Sequence, residues 1–234
     1  MIPKESLRAL AEAKGRLATH GWAVLTEMGF TDGEEVDLGL VRAMVGKLGN
    51  ITARDGSTEI WPVRADTSDS AETFSRRTGP ALLHTDAAYQ PDPEPLLMLF
   101  CVRPADVGGH TRMLTCQDAI TGLPENVDAA LREPQWRWTP PKVFDTPPDE
   151  CHPVLSADDR VRWRYDNLDV PETLKTVAWL FSEHIESHPA VIEFPLKSDS
   201  ILICDNHRVM HGRTSFGDTE RLLLRASVKL GPAN

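Results

Sequence analysis

The chain has 234 residues, 41% of them hydrophobic, enough for one large domain with a substantial core. Its 25 Lys plus Arg against 35 Asp plus Glu give a formal net charge of −10, the wrong sign for neutralising phosphates, which excludes nucleic acid and anionic membranes as expected partners. Four scattered cysteines (Cys101, Cys116, Cys151 and Cys204) form no C-x-x-C pair, and no apolar run approaches the roughly 20 residues that cross a bilayer, so a reduced, cytoplasmic protein is expected.

Leu7, Leu10, Ala11 and Leu17 recur at helical spacing behind Ser6, a suitable N-cap, and predict an amphipathic helix over about residues 6–19. Gly21 to Leu25 reads as a strand. A second helix is expected from Val36 to Leu48, with Leu38, Val41, Val45 and Leu48 on one side and Gly49-Asn50 as its stop. From Ala81 onward the periodicity changes. Short β-rich runs at Ala81–His84, Leu96–Val102, Val161–Tyr165, Ala190–Leu196, Ile201–Asp205 and Arg221–Leu230 alternate with Pro- and Gly-rich joints, the pattern of an all-β barrel or sandwich with helical additions. Pro171 to His188 interrupts the strands. There Leu174, Val177, Ala178, Phe181 and Ile185 form one apolar stripe, and Pro171 suits a first helical turn.

Two segments carry neither period: Asp66 to Thr78, rich in Ser, Thr, Asp and Arg, and Thr139 to Pro153, which holds five prolines. Irregular stretches of this length in a compact domain are often lids or binding loops. The expectation is a single domain over residues 1–234 with lid segments near 61–80 and 136–153.

His84-Thr85-Asp86 ends the apolar run Ala81-Leu82-Leu83. On an extended strand, residues i and i+2 share a face about 6.6 Å apart, so the imidazole and the carboxylate are able to converge on one ion. A third ligand must come from elsewhere, and His211 follows the predicted strand Ile201–Asp205 by a few residues. Two imidazoles and one carboxylate are the set that holds Fe(II) on one face and leaves the other positions open. His-x-Asp alone is a weak signal; its plain alternative is a surface hydrogen bond.

The signal gains weight from a second block, Asp205-Asn206-x-Arg208-x-x-His211-Gly212-Arg213, followed by Arg221 and Arg225. From about His84 to Lys229 the chain resembles the taurine dioxygenase and clavaminate synthase-like branch of the Fe(II)/2-oxoglutarate-dependent oxygenases. The resemblance implies a mostly β fold with flanking helices and a double-stranded β-helix, or jelly-roll, core. It implies His84, Asp86 and His211 as iron ligands, and Fe(II), 2-oxoglutarate and O2 as cofactor and cosubstrates. Gly108-Gly109-His110-Thr111 matches the family's Gly-Gly-x-Thr motif, whose Thr hydrogen-bonds 2-oxoglutarate. Arg221 matches the arginine that pairs with the distal carboxylate of 2-oxoglutarate, and Arg225 the one that holds an anionic group of the substrate in several members.

Elementary chemistry agrees with these assignments. A dicarboxylate needs a fixed cation at its far end, and a guanidinium offers a planar fork for two parallel hydrogen bonds. Arg221 and Arg225, four apart on a strand, share a face. The expected reaction is hydroxylation of a small carboxylate-bearing substrate, such as an amino acid or a derivative, with release of succinate and CO2. Desaturation, epoxidation and ring closure are alternatives of the same class. Related halogenases lack the carboxylate ligand, which Asp86 supplies here.

Tyr89 and Trp61, with Arg64, Arg76 and Arg77, are candidates for the substrate side of the site, although Trp61 equally suits a core aromatic. His110 stands where the family often carries Asp. His207 competes with His211 for the third ligand position on proximity alone, and His184 and His188 lie four apart on the long predicted helix without a third ligand. Two other readings are a non-catalytic barrel around a structural ion, which gives Arg221 and Thr111 no role, and a protein-modifying oxygenase with an extended groove.

Overall fold

In the computed structural model, which describes residues 1–33, 35–53, 56–65, 74–142 and 150–230, alternate side chains of the late strands divide between two cores. The strands in chain order are β1 (Trp22–Leu25), β2 (Thr31–Asp32), β3 (Glu35–Val36), β4 (Asn50–Thr52), β5 (Ile60–Arg64), β6 (Ala81–His84), β7 (Leu96–Arg103), β8 (Thr111–Thr115), β9 (Ile192–Phe194), β10 (Ser200–Asp205), β11 (Val209–Arg213) and β12 (Leu222–Lys229). The α-helices are α1 (Lys4–His20), α2 (Leu38–Val45), α3 (Cys116–Ile120), α4 (Glu125–Arg132) and α5 (Glu172–Glu186). A major sheet runs β1-β10-β7-β12-β4, with β5 also paired to β12, and a minor sheet runs β6-β11-β8-β9.

On β10, Ile201 and Ile203 pack with Met98 and Phe100 of β7 against α1 and α2, while Leu202 and Cys204 turn inward to Leu97, Cys101, Val209 and Met113. This period-two division puts one apolar layer between the sheets and another beneath the N-terminal helices. The outer face of the minor sheet carries a third cluster. Leu83, Leu114 and Met210 meet Trp136, Trp163 and Phe181 there, under α4 and α5. Glu186, in the last turn of α5, accepts from the Leu83 amide at 2.5 Å and is bridged by Arg112, which fixes the helix to β6 and β8. The result is the jelly-roll expected from the resemblance, mostly sheet with few helices.

Most expected elements are present; β2, β3, β4, β8, β11, α3 and α4 come in addition, and the second helix begins at Leu38 because Val36 belongs to β3. The second helix ends at Val45 and is capped by Gly46, well before Gly49. Gly49 serves a different purpose: a Cβ there would lie 2.2 Å from the Lys229 carbonyl oxygen, so the residue allows β4 to approach β12. Val161 to Tyr165 is not a strand. Val161 makes an isolated bridge to Leu155, and Tyr165–Asn167 is a 3-10 turn. Instead of joining a ladder, the Trp163 backbone is taken up by Thr85, whose amide donates to its carbonyl at 2.8 Å and whose Oγ1 accepts from its amide at 2.9 Å. The strand β5 was masked in the sequence by Pro62. It pairs only with β12, an edge position where a missing N–H is tolerated.

Candidate active site

Register brings the two imidazoles together. His84 on β6 is the direct cross-strand partner of His211 on β11, and their ring centroids are 4.3 Å apart. Gly212 permits this pairing, because a Cβ at that position would sit 2.7 Å from the Ala81 carbonyl oxygen. Asp86 lies just past the end of β6 and is held by its backbone. Its amide donates to Asn206 Oδ1 at 2.7 Å, and Asn206 Nδ2 donates back to its carbonyl at 3.0 Å and to that of Glu94 at 2.9 Å. Ala87, at φ 59°, then turns the chain away.

Among the described residues, His84, Asp86 and His211 are the group that could hold a metal ion, each offering one ligand atom within 4.8 Å of the others. His84 Nδ1 lies 2.7 Å from the Leu82 carbonyl, which only accepts, so Nδ1 carries the proton and the lone pair of Nε2 is available. Nε2 of His84 and of His211 stand 3.6 and 3.9 Å from the same oxygen, Asp86 Oδ1. Burial, and next the His84 imidazole, push His211 down to about 3, so it is neutral, the form a ligand must have. Donor types, protonation and convergence all fit a divalent ion with open positions.

A cavity opens beside these three residues, with about 770 Å³ of non-atom space including its mouth. Thr111, Arg221, Arg225 and Tyr89 all line it, and Val63, Leu99 and Leu223 supply apolar wall. Trp61 does not line it. It sits opposite Arg225 in the β5–β12 register, and its Nε1 donates at 3.3 Å to Ser75, which does line the cavity. Of the two long irregular segments, residues 66–73 and 143–149 fall outside the described residues, while Ser75 and Pro141 from their remainder reach the cavity wall.

Arg221 is 5% exposed, its Nη1 is buried without a hydrogen-bond partner, and no carboxylate side chain pairs with it among the described residues. Burial pulls its pKa below the ordinary guanidinium value. Its position is set by the Gly-Gly turn: Gly108 and Gly109 have φ of 74° and 65°, and a Cβ on Gly109 would lie 3.1 Å from Arg221 Nε. Phe216 lies under both Arg221 and Arg213, with guanidinium carbons 5.1 and 4.6 Å from its centroid. Burial and the neighbouring Arg221 bring Arg213 down to about 9, and its Nη2 donates to the carbonyls of Arg77 and Gly79. A buried cation beside a cavity, with no carboxylate partner among the described residues, has the chemistry to take a carboxylate supplied from outside.

Other histidines stay out of the cluster. His207 is engaged with Pro93 and Arg160, His110 pairs with Glu193 at 2.9 Å, and His184 in the last turn of α5 contacts His188 just beyond it. Arg164 was not singled out from the sequence, yet it is 6% exposed and lines the cavity, with Nη1 3.9 Å from Asp86 Oδ1. The alternation Arg160-Val161-Arg162-Trp163-Arg164 suggests a strand with its arginines in solvent. Because the segment is not a strand, Trp163 and Arg164 are both buried.

The sequence model for the taurine catabolism dioxygenase TauD, TfdA family matches residues 3–227. Glutarate 2-hydroxylase of Pseudomonas putida is 26% identical over 166 residues, covering 66% of this chain and 50% of that protein, so the chain spans about half the length of the curated relative it matches. The crystal structure of asparagine oxygenase with Fe(II), (2S,3S)-3-hydroxyasparagine and succinate superposes with a TM-score of 0.76 at 20% identity, over 97% of this chain and 80% of that one. The non-heme iron oxygenase OrfP with Fe and α-ketoglutaric acid gives 0.71 at 20% identity, with the same two coverages. These two share its fold. Because the family's sequence model spans nearly the whole chain, the resemblance first seen after His84 extends to the N-terminal helices, and the protein belongs to the taurine catabolism dioxygenase TauD, TfdA family.

Proposed function

We propose that this protein is an Fe(II)- and 2-oxoglutarate-dependent oxygenase that hydroxylates a small carboxylate-bearing substrate. The observation that carries the reading is the buried Arg221, without an anionic partner among the described residues, in the same cavity as the His84–Asp86–His211 cluster. A barrel built only around a structural ion gives that arginine nothing to bind. The names of its relatives, a glutarate 2-hydroxylase and an asparagine oxygenase, support a small acid as substrate.

When bound, ferrous iron supplies the oxidising chemistry that couples 2-oxoglutarate and O2 to substrate hydroxylation, with succinate and CO2 released. The chain's own residues bind and orient. His84, Asp86 and His211 hold the metal from one side; Leu82 sets the His84 ring and Asn206 the Asp86 backbone. Thr111 and Arg221 take the cosubstrate at its distal carboxylate, and Arg225 and Tyr89 face the substrate, with Trp61 bracing the mouth through Ser75. Val63, Leu99 and Leu223 limit water around the reacting carbon, and Ser75 and Pro141 complete the wall of the cavity. Free cysteines and an acidic surface support a cytoplasmic enzyme of one domain with no nucleic-acid or membrane partner. No helix among the described residues is long and apolar enough to cross a membrane.

Anaerobic titration with Fe(II) and then 2-oxoglutarate tests the reading through the visible charge-transfer band of the bound pair. The band should appear with one equivalent of each; a protein that binds the metal yet never develops the band is not this enzyme. Gly109→Ala is a second check. The added methyl meets Arg221 Nε in a left-handed backbone, so 2-oxoglutarate affinity should fall by about tenfold while metal affinity holds.

A further inference from the structure

A second buried cation lines the cavity beside Arg221. Arg213 follows His211 on β11, on the same face of the strand, and its cross-strand partner on β8 is Thr111. It is 7% exposed and lines the cavity together with both of them. Its Nη2 is committed to the carbonyls of Arg77 and Gly79, whereas Nε is buried with no hydrogen-bond partner, and no carboxylate pairs with this guanidinium among the described residues. One aromatic ring joins it to Arg221. Phe216 lies under both guanidinium groups and bridges to Gly108 of the turn that sets Arg221, so the two cations, Thr111 and the Gly-Gly turn form one end of the site. After burial, Arg221 is the charge that lowers the Arg213 pKa, so the two groups sense each other.

We propose that Arg213 is a second cosubstrate-binding residue, which shares the distal carboxylate of 2-oxoglutarate with Arg221. This rests on the oxygenase reading and deepens it. Two buried cations in one wall repel each other, and each has given up the hydration it would have in water. One anion between them relieves both costs, and a carboxylate offers two oxygens with which to do so. The contacts to residues 77 and 79 do not by themselves require a charge, because a neutral donor serves a carbonyl equally well. With two cations and Thr111 at one end, the site favours a keto acid that carries a second carboxylate over one that ends in an alkyl group. Discrimination of this kind survives, in reduced form, when either arginine is removed.

The test is anaerobic titration of the Fe(II)-loaded protein with 2-oxoglutarate and with 2-oxovalerate, which has the same chain length and keto-acid end but a methyl in place of the distal carboxylate. Calorimetry gives the affinities and the visible charge-transfer band reports chelation. Arg213→Gln keeps an amide donor for the Arg77 and Gly79 carbonyls and removes the charge. It should weaken 2-oxoglutarate by about tenfold and leave 2-oxovalerate and Fe(II) affinity unchanged, while Arg213→Lys should recover part of the loss. Arg221→Gln gives a second measure that leaves Arg213 in place: with Arg213 as the cation remaining beside Thr111, 2-oxoglutarate should still bind about tenfold more tightly than 2-oxovalerate. Equal affinity of Arg221→Gln for the two keto acids overturns the proposal. So does an Arg213→Gln protein that binds 2-oxoglutarate like wild type, or one that weakens both keto acids alike, which would make Arg213 a brace for residues 77–79 only. Absence of the 2-oxoglutarate band in wild type indicts the oxygenase reading instead.

Discussion

Asp86→Ala should leave a protein that neither retains Fe(II) nor turns over. The carboxylate is the single negative charge among the three converging ligands, and both Nε2 atoms face its Oδ1. Loss of an outer-sphere partner typically costs metal affinity about 10- to 100-fold, so loss of a ligand should exceed that range. Arg164 and Arg225 both face this carboxylate, and its removal leaves two cations crowded in a buried site, with a stability cost on the order of 3 kcal/mol. Asp86→Asn separates the two effects. Asn206 grips residue 86 by its backbone, so the chain path survives either substitution, and the Asn variant should fold while binding metal poorly. Metal content after desalting and a melting curve provide the check. Retained iron and activity in Asp86→Ala would mean that the cluster is misassigned.

Arg221→Ala should raise the 2-oxoglutarate requirement by about a hundredfold, the value of a two-point charge-assisted contact, and leave metal binding in place. Its effect on stability has the opposite sign from the usual buried substitution. In the absence of 2-oxoglutarate, Arg221 is a buried cation without a carboxylate, so its removal should leave the melting temperature unchanged or raise it, while the stabilisation normally conferred by 2-oxoglutarate disappears. Arg225→Ala should do the reverse, weakening substrate use and sparing the cosubstrate. If both variants lose only 2-oxoglutarate binding, the division between the two arginines is wrong.

Much of this site is visible in local patterns. His84 and Asp86 stand two apart after an apolar strand, and Arg221, just before β12, and Arg225 on it line the same cavity, four residues apart, so short-range spacing is enough to group them. Arg164 and Asn206 are different. The alternation around Trp163 reads as a strand, and only the hydrogen bonds from Thr85, nearly eighty residues away in sequence, show that the segment is irregular and that Arg164 is buried. The role of Asn206 likewise exists only because the turn after β10 lies against Asp86.

From the sequence alone come the strand and helix periods and the His84-x-Asp86 pair, because each depends on residues a few positions apart, while the roles of His211, Arg221 and Arg225 come from the resemblance of their motifs to the family. Tertiary structure supplies the physical reason why His211, to which the resemblance points, and not His207 joins the cluster. His211 is the cross-strand partner of His84, whereas His207, only four residues earlier, lies beyond the other end of β11 and turns to Pro93. That geometry depends on antiparallel register between strands more than a hundred residues apart, which is set by the packing of whole sheets and which spacing along the chain does not derive.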